Sequence, residues 1–344
     1  MKQASAKASS DKHSLRYGEN PHQKGFVVLD ERSADPLAIG RYSTPSGEPI
    51  AARLDAMSWI TLTDLSRGVD ALVRVAAAFE TNVGKVPHIA ILLQHGNACG
   101  AACGKTEDVL RHAIESNYRG SFGSFLVTNV PLSQQVSLCL RQWMPAHRPF
   151  SGIAAPRIEP RTAGFFARKN GTCHLFANPA LETVGLKSLQ PTSRQCAIRG
   201  ATLTQDPNSF VPKFPEEWDR KLIEDMCLAW GICASSTSNC ITIANDRRMV
   251  ANAVGQPCRT GACELALLQA AQAGHTANLK GAAVASDSFF AFADGIDMLA
   301  RKKVRAIFAT NGSMYDREVA EHARQFDTIF HTVPDREGRV FAGH

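Results

Sequence analysis

The chain has 344 residues, 44% of them apolar and 20% charged, and a formal net charge of +6. This composition excludes an intrinsically disordered chain, and the length is enough for two domains or subdomains. No apolar run approaches the roughly 20 residues of a membrane-spanning helix, and no basic stripe with interleaved aromatics marks a nucleic-acid surface.

Residues 1–13 are rich in Lys, Ser and Ala and lack an apolar core, so a disordered tail is expected there rather than a secretory signal. Ten cysteines without paired spacing read as reduced thiols of a cytoplasmic protein. The mild positive bias suits phosphorylated or polycarboxylate small molecules.

Residues 14–25, S-L-R-Y-G-E-N-P-H-Q-K-G, are broken by Gly18 and Pro21. Arg16 and Tyr17 form a candidate phosphate clamp: a guanidinium fork beside a phenol donor. The same pair also fits a solvated surface turn. Apolar residues from Leu65 to Ala76 recur at helical spacing and predict a helix over 63–79. The run 88–93 predicts a strand.

The strand leads into Leu92–Gly104, L-L-Q-H-G-N-A-C-G-A-A-C-G. This reads as a polar, Gly-rich turn before a helix capped at Thr106, the place where α/β proteins put their chemistry. It offers an imidazole at His95 and amides at Gln94 and Asn97. Further on, the pattern predicts strands at 125–128 and 151–155, and between them a helix capped by Ser133 and ending near Trp143. A helix near 162–169 and a strand near 173–176 follow.

The stretch 191–215 reads as a loop and domain boundary, dividing 14–190 from 191–344. Pro215 is expected to open a helix running to Trp230. Strand 240–244, helix 260–273, strand 282–285 and a closing alternation from 296 to 331 complete an α/β pattern with helices on both faces. Asn97 and Asn239, with Ser/Phe-rich turns at 121–125 and 286–292, suggest a duplicated subdomain.

Several of these segments resemble the transformylase domain of aminoimidazolecarboxamide ribonucleotide (AICAR) formyltransferase/IMP cyclohydrolase. Leu15-Arg-Tyr-Gly-Glu-Asn-Pro-His-Gln23 matches the family's opening motif at every position, and Ser286–Asp297, S-D-S-F-F-A-F-A-D-G-I-D, is close to its S-D-A-F-F-P-F-R-D pattern. Gly312, Ser313, Asp316 and His344 also fit. The resemblance runs from about residue 14 to the last. Only the tail stands where the family carries its cyclohydrolase domain, so a stand-alone domain is expected.

The resemblance implies two cytidine-deaminase-like three-layer α/β subdomains and a homodimer with active sites at the interface. It implies formyl transfer from 10-formyltetrahydrofolate, as co-substrate, to the amino group of AICAR, in purine biosynthesis and without a metal. By this likeness His95 is the catalytic base, Asn239 and Gln94 act on the formyl group, and Arg16, Tyr17, Arg259 and Asn97 hold the nucleotide. Phe289, Phe290, Asp294 and His344 hold the folate, although the phenylalanines fit a packed turn as well. The His95-x3-Cys99-x3-Cys103 spacing is not that of a zinc site, and no H-x-E accompanies it.

The departures from the family pattern cluster at the chemistry. Gln94 and Thr237 stand where it has lysines, Ala98 where it has proline, and Ala291 and Ala293 where it has Pro and Arg. Ile60 and Thr61 replace two asparagines, while Asp64 remains. Two readings stay open: an enzyme for AICAR or a close analogue, and a degenerate nucleotide-binding or scaffold homologue.

Overall fold

The computed structural model describes residues 12–144, 150–166, 173–189 and 194–342. β1 (Lys12–Ser14) pairs antiparallel with β2 (Phe26–Val28), so Lys12 and His13 are strand where a tail was expected. Residues 1–11 lie outside the described residues. α1 (Trp59–Val83) begins where the Ser58 hydroxyl accepts the Thr61 N–H and ends at Gly84, whose φ of 72° only a residue without a Cβ adopts freely. Its caps, not its apolar stripe, set its ends, and it is longer at both than the periodicity predicts.

β3 (His88–Gln94) is the predicted strand. The next segment corrects the reading of Leu92–Gly104. No turn leads there into a helix. The chain reverses at His95-Gly96 and returns as β4 (Asn97–Gly104), in register from Gln94↔Asn97 to His88↔Gly104. β4 lacks the β-branched and aromatic residues that mark strands. Its small residues are needed by packing: a methyl at Gly100 would lie 2.3 Å from the Ala113 carbonyl oxygen of α2 (Val109–Ser116). Asp108, not Thr106, is the N-cap residue of α2. β5 (Phe125–Thr128), α3 (Gln134–Trp143), β6 (Gly152–Ala155) and β7 (His174–Ala177) follow near their predicted places, α3 capped by Ser133. The helix expected at 162–169 is a 3-10 segment, Pro160–Phe166, and the rest of that span lies outside the described residues.

The expected loop 191–215 holds β8 (Arg194–Ile198) and β9 (Ala201–Gln205), a separate antiparallel ribbon exposed along both strands. α4 (Arg220–Cys233) starts at an Asp219 cap rather than at Pro215. β10 (Ile241–Asn245) and the unpredicted β11 (Arg248–Ala253) form a second hairpin. α5 (Arg259–Gln272), β12 (Ala283–Ser286), α6 (Asp294–Ala300), β13 (Ala306–Asn311), α7 (Asp316–Gln325), β14 (Ile329–Pro334) and α8 (Asp335–Gly338) finish the chain.

One sheet holds ten of these strands in the order β14-β13-β12-β10-β11-β4-β3-β5-β6-β7. The order is a palindrome: β3 to β7 take in one half the places that β10 to β14 take in the other. In each half the outer three strands run parallel and the hairpin is antiparallel. The halves meet where β11 pairs antiparallel with β4, at Arg248↔Ala102. The duplication is present, but the marks that suggested it are not equivalent positions. Asn97 opens β4, whereas Asn239 precedes β10. The first Ser/Phe turn precedes β5, whereas the second follows β12.

α1 and α4 pack together on one face, and α2, α3, α5, α6 and α7 cover the other. β3 shows the division: Ile89, Ile91 and Leu93 enter the α1/α4 core, and Ala90 and Leu92 the α2 core. Each large side chain so buried stabilises the fold by about 1.5–3 kcal/mol. Gly231 lets α4 cross α1 closely, since a methyl there would lie 2.7 Å from the Val75 backbone nitrogen.

Candidate active site

His95 and Gly96 form the tip of the β3–β4 hairpin, with φ of 54° and 75°. Two left-handed residues make the tight turn whose twist matches a hairpin. The tip is anchored from α1: the Gly96 N–H donates to Asp64 Oδ1 at 2.6 Å, and Asp64 is only 3% exposed. Burial pushes the Asp64 carboxyl up from its ordinary value, while the turn amides and the nearby His95 ring pull it down. His95 itself is exposed. In the sequence Asp64 is only a match to the family pattern; its place on the buried face of α1, in contact with the tip, gives it a role.

The second half supplies the neighbouring wall. Asn97 Oδ1 accepts the Thr237 N–H at 2.9 Å, which ties the first hairpin to the segment leading into β10. On that segment the Asn239 N–H and Nδ2 both donate to the Gln256 carbonyl, at 3.2 and 2.8 Å. Cys240 follows, held by Asp287 Oδ1 on its N–H and by Arg259 Nη1 on its carbonyl, at 3.2 and 2.9 Å. Arg259 and Asp287 are themselves paired at 2.5 Å, with Asp287 fully buried. The Arg259 guanidinium thus braces the Asn239 turn. Asp287 was visible in the S-D-S-F-F motif, but nothing in the sequence says which arginine it meets.

Gln94 turns its Nε2 to the Phe122 carbonyl at 3.2 Å. Arg16 and Tyr17 lie against the start of α1, where the Trp59 N–H donates to the Tyr17 carbonyl at 3.2 Å, and the Arg16 guanidinium sits 5.7 Å from the Tyr17 ring centre. Trp59 and Asp64 are separated by about 7.5 Å of helix, so the clamp and the His95 tip share one edge of the molecule. Arg16 has no carboxylate within 4 Å among the described residues.

The expected folate residues divide. Asp294, at the start of α6, accepts from Thr260 Oγ1 at 2.9 Å, next to Arg259. Phe289 is half-buried, its ring 5.9 Å from the Arg339 guanidinium. Phe290 is 1% exposed and packed edge-on against Phe330, within the core of the second half. Phe292, in contrast, is exposed beside Tyr315. His344 lies outside the described residues. The segment before it crosses between the halves: the Val340 N–H donates to the Asp287 carbonyl, and the Ala342 carbonyl accepts from Arg67 on α1 and from Arg194.

His95, Cys99 and Cys103 lie along one hairpin, and four residues of strand span about 13 Å, too far for a shared ion. Burial holds the Cys99 thiol up to about 12 and pushes that of Cys103 well above its ordinary value. Among the described residues no group of three or more His, Cys, Asp or Glu is placed to hold a metal, and no helix is long and apolar enough to cross a membrane.

The family model described as the AICARFT/IMPCHase bienzyme matches residues 1–269. The chain belongs to this family. It is 28% identical over 331 residues to the bifunctional purine biosynthesis protein PurH of Thermotoga maritima, covering 94% of this chain and 62% of that protein. It is 28% identical over 328 residues to PurH of Nostoc punctiforme and 25% over 320 residues to PurH of Persephonella marina, in each case covering 56% of the relative. The chain therefore spans about three-fifths of the length of these relatives.

Proposed function

We propose that this chain is a formyltransferase that moves the formyl group of 10-formyltetrahydrofolate to the amino group of AICAR or a closely related imidazole carboxamide ribonucleotide. The observation that carries this reading is the Asn97–Thr237 bond. It sets the His95 tip of one half against the Asn239 turn of the other, with Arg16 and Tyr17 on the same edge.

The amine lone pair is delocalised into the ring, so its proton must leave as the new C–N bond forms. The His95 imidazole accepts that proton. The formyl oxygen becomes an oxyanion. Gln94 and Asn239 each have one amide N–H engaged by a backbone carbonyl and a second free to donate to it. When the tetrahedral intermediate collapses, the bond to N10 of the folate breaks and N10 takes a proton. Arg16 and Tyr17 hold the ribose phosphate.

Purified protein should formylate AICAR with 10-formyltetrahydrofolate, and His95→Ala should lower the turnover by about 10²–10⁴. Binding of neither substrate in isothermal titration would overturn the reading. The second reading, a degenerate nucleotide-binding homologue, is favoured by one observation. Gln94 places a neutral amide, turned toward Phe122, where the family pattern has a lysine.

Two finer points belong to the same proposal. The α-β-β-α-β start of each half, 59–128 and 220–286, supports the cytidine-deaminase-like likeness. The β8–β9 ribbon, exposed on both strands, supports a homodimer, because an isolated two-stranded ribbon is marginal in water and gains from a covering partner. Light scattering that finds only monomer at micromolar concentration would remove that point.

A further inference from the structure

The palindromic sheet creates two meeting points, not one. The His95-Gly96 tip of β3–β4 meets the segment leading from α4 into β10. By the same topology, Arg247 on the tip of β10–β11 lines one cavity with Lys85, Val86 and Pro87 of the segment leading from α1 into β3. The Cys103 N–H of β4 donates to the Arg247 carbonyl at 2.9 Å, at the end of the central strands away from His95. A cavity of about 290 Å³ lies at this second meeting point.

Val83, Val86 and Pro87 give the cavity an apolar side, and Lys85, Lys105, Arg220 and Arg247 a basic one. Four cations face one lining carboxylate, Glu224, which is already held by Arg220 at 2.6 Å and by Arg247 at 3.4 Å. Among the described residues, neither Lys85 nor Lys105 has a carboxylate within 4 Å or any side-chain hydrogen bond. His88 also lines the cavity, and its Nδ1 is buried with no hydrogen-bond partner. Its ring therefore reports on the cavity wall, while the charged contacts fall to the lysines.

We propose that this cavity binds the phosphate group of a small phosphorylated sugar or nucleotide. The two free ammonium groups take the dianion, the His88 ring borders the bound group, and the apolar side receives the sugar face. The volume sits at the lower end of ligand pockets, which suits one phosphate monoester. The site binds without catalysing: the place of His95 on this tip is taken by Asp246, which Lys221 holds at 3.2 Å. This proposal stands apart from formyl transfer and does not depend on it.

The test follows the His88 ring by NMR in histidine-labelled protein titrated with ribose 5-phosphate, with ribose as the control and His88→Gln to assign the signal. The His88 signal should shift and saturate with ribose 5-phosphate and stay still with ribose. Lys85→Gln with Lys105→Gln, both at exposed positions, should weaken binding at least tenfold, on the order of one charge-assisted contact. Arg16→Ala should leave it unchanged, which separates this site from the candidate active site. A His88 signal that stays still to about 10 mM ligand, weaker than any metabolite site, overturns the proposal. So does a shift with the same affinity in the double variant.

Discussion

The two hairpin tips are built alike and equipped differently. Each turns on two residues with positive φ, His95 and Gly96 in one, Asp246 and Arg247 in the other. Each is held by a buried aspartate at the sixth position of the preceding helix: Asp64 takes the Gly96 N–H and Asp225 takes the Arg247 N–H, both at 2.6 Å. What differs is the chemistry at the tip. The first carries an exposed imidazole and an amide, His95 and Asn97; the second carries Asp246 and Arg248, each engaged in ion pairs. One scaffold places two tips, and a few side chains decide what each one presents.

Substitution at the tips should break the likeness most sharply. His95→Ala should lower formyl transfer by about 10²–10⁴, the usual worth of a general base, while Asp246→Ala leaves kcat within error. Equal losses in steady-state kinetics would mean that the tips do not differ in chemistry. Gln94→Lys, which restores a cation beside the first tip only, should raise transfer to AICAR by up to about 10²–10³. No gain in kcat would show that the neutral amide is already matched to its substrate.

The aspartates should sharpen the comparison. Asp64→Ala and Asp225→Ala each strand turn amides and should each cost about 1–3 kcal/mol in urea unfolding. Only Asp64→Ala should also lower kcat, because only its tip carries the proposed base. The smallest effect is on pH. Burial makes Asp64 hold its proton to higher pH in the fold than in the unfolded chain. Its contribution to stability is therefore complete below the unfolded pKa of about 3.9 and is lost as pH rises through the folded value. Unfolding free energy of the wild type minus that of Asp64→Asn should fall across this interval and then level off. A difference that grows with pH would reverse the assignment.

Some of this was legible in the residues. The apolar run of β3, the Ser133 cap of α3 and the strand-helix alternation after 282 each report a local pattern, and local patterns survive into the structure. β4 and β11 were not legible. Asn-Ala-Cys-Gly-Ala-Ala-Cys-Gly has no strand preference of its own and is a strand because it lies between β3 and β11, under α2. The repeat does carry one sequence signal: a capping residue followed six positions later by aspartate, Ser58 to Asp64 and Asp219 to Asp225. At the candidate site, His95, Asn97 and Asn239 could be named from the sequence, but the bracing of Cys240 by Arg259 and Asp287 could not. Phe290, which the motif offered to a ligand, belongs to the core.

By itself, the sequence determined the α/β class, most element positions and the family, because capping, period and motif are read within short windows of chain. The tertiary structure decided which tip meets which segment, and so where the candidate site and the basic cavity lie. That choice rests on β4–β11 pairing and on close approaches at Gly100 and Gly231, contacts between residues far apart in the chain whose energy appears only once both halves are folded.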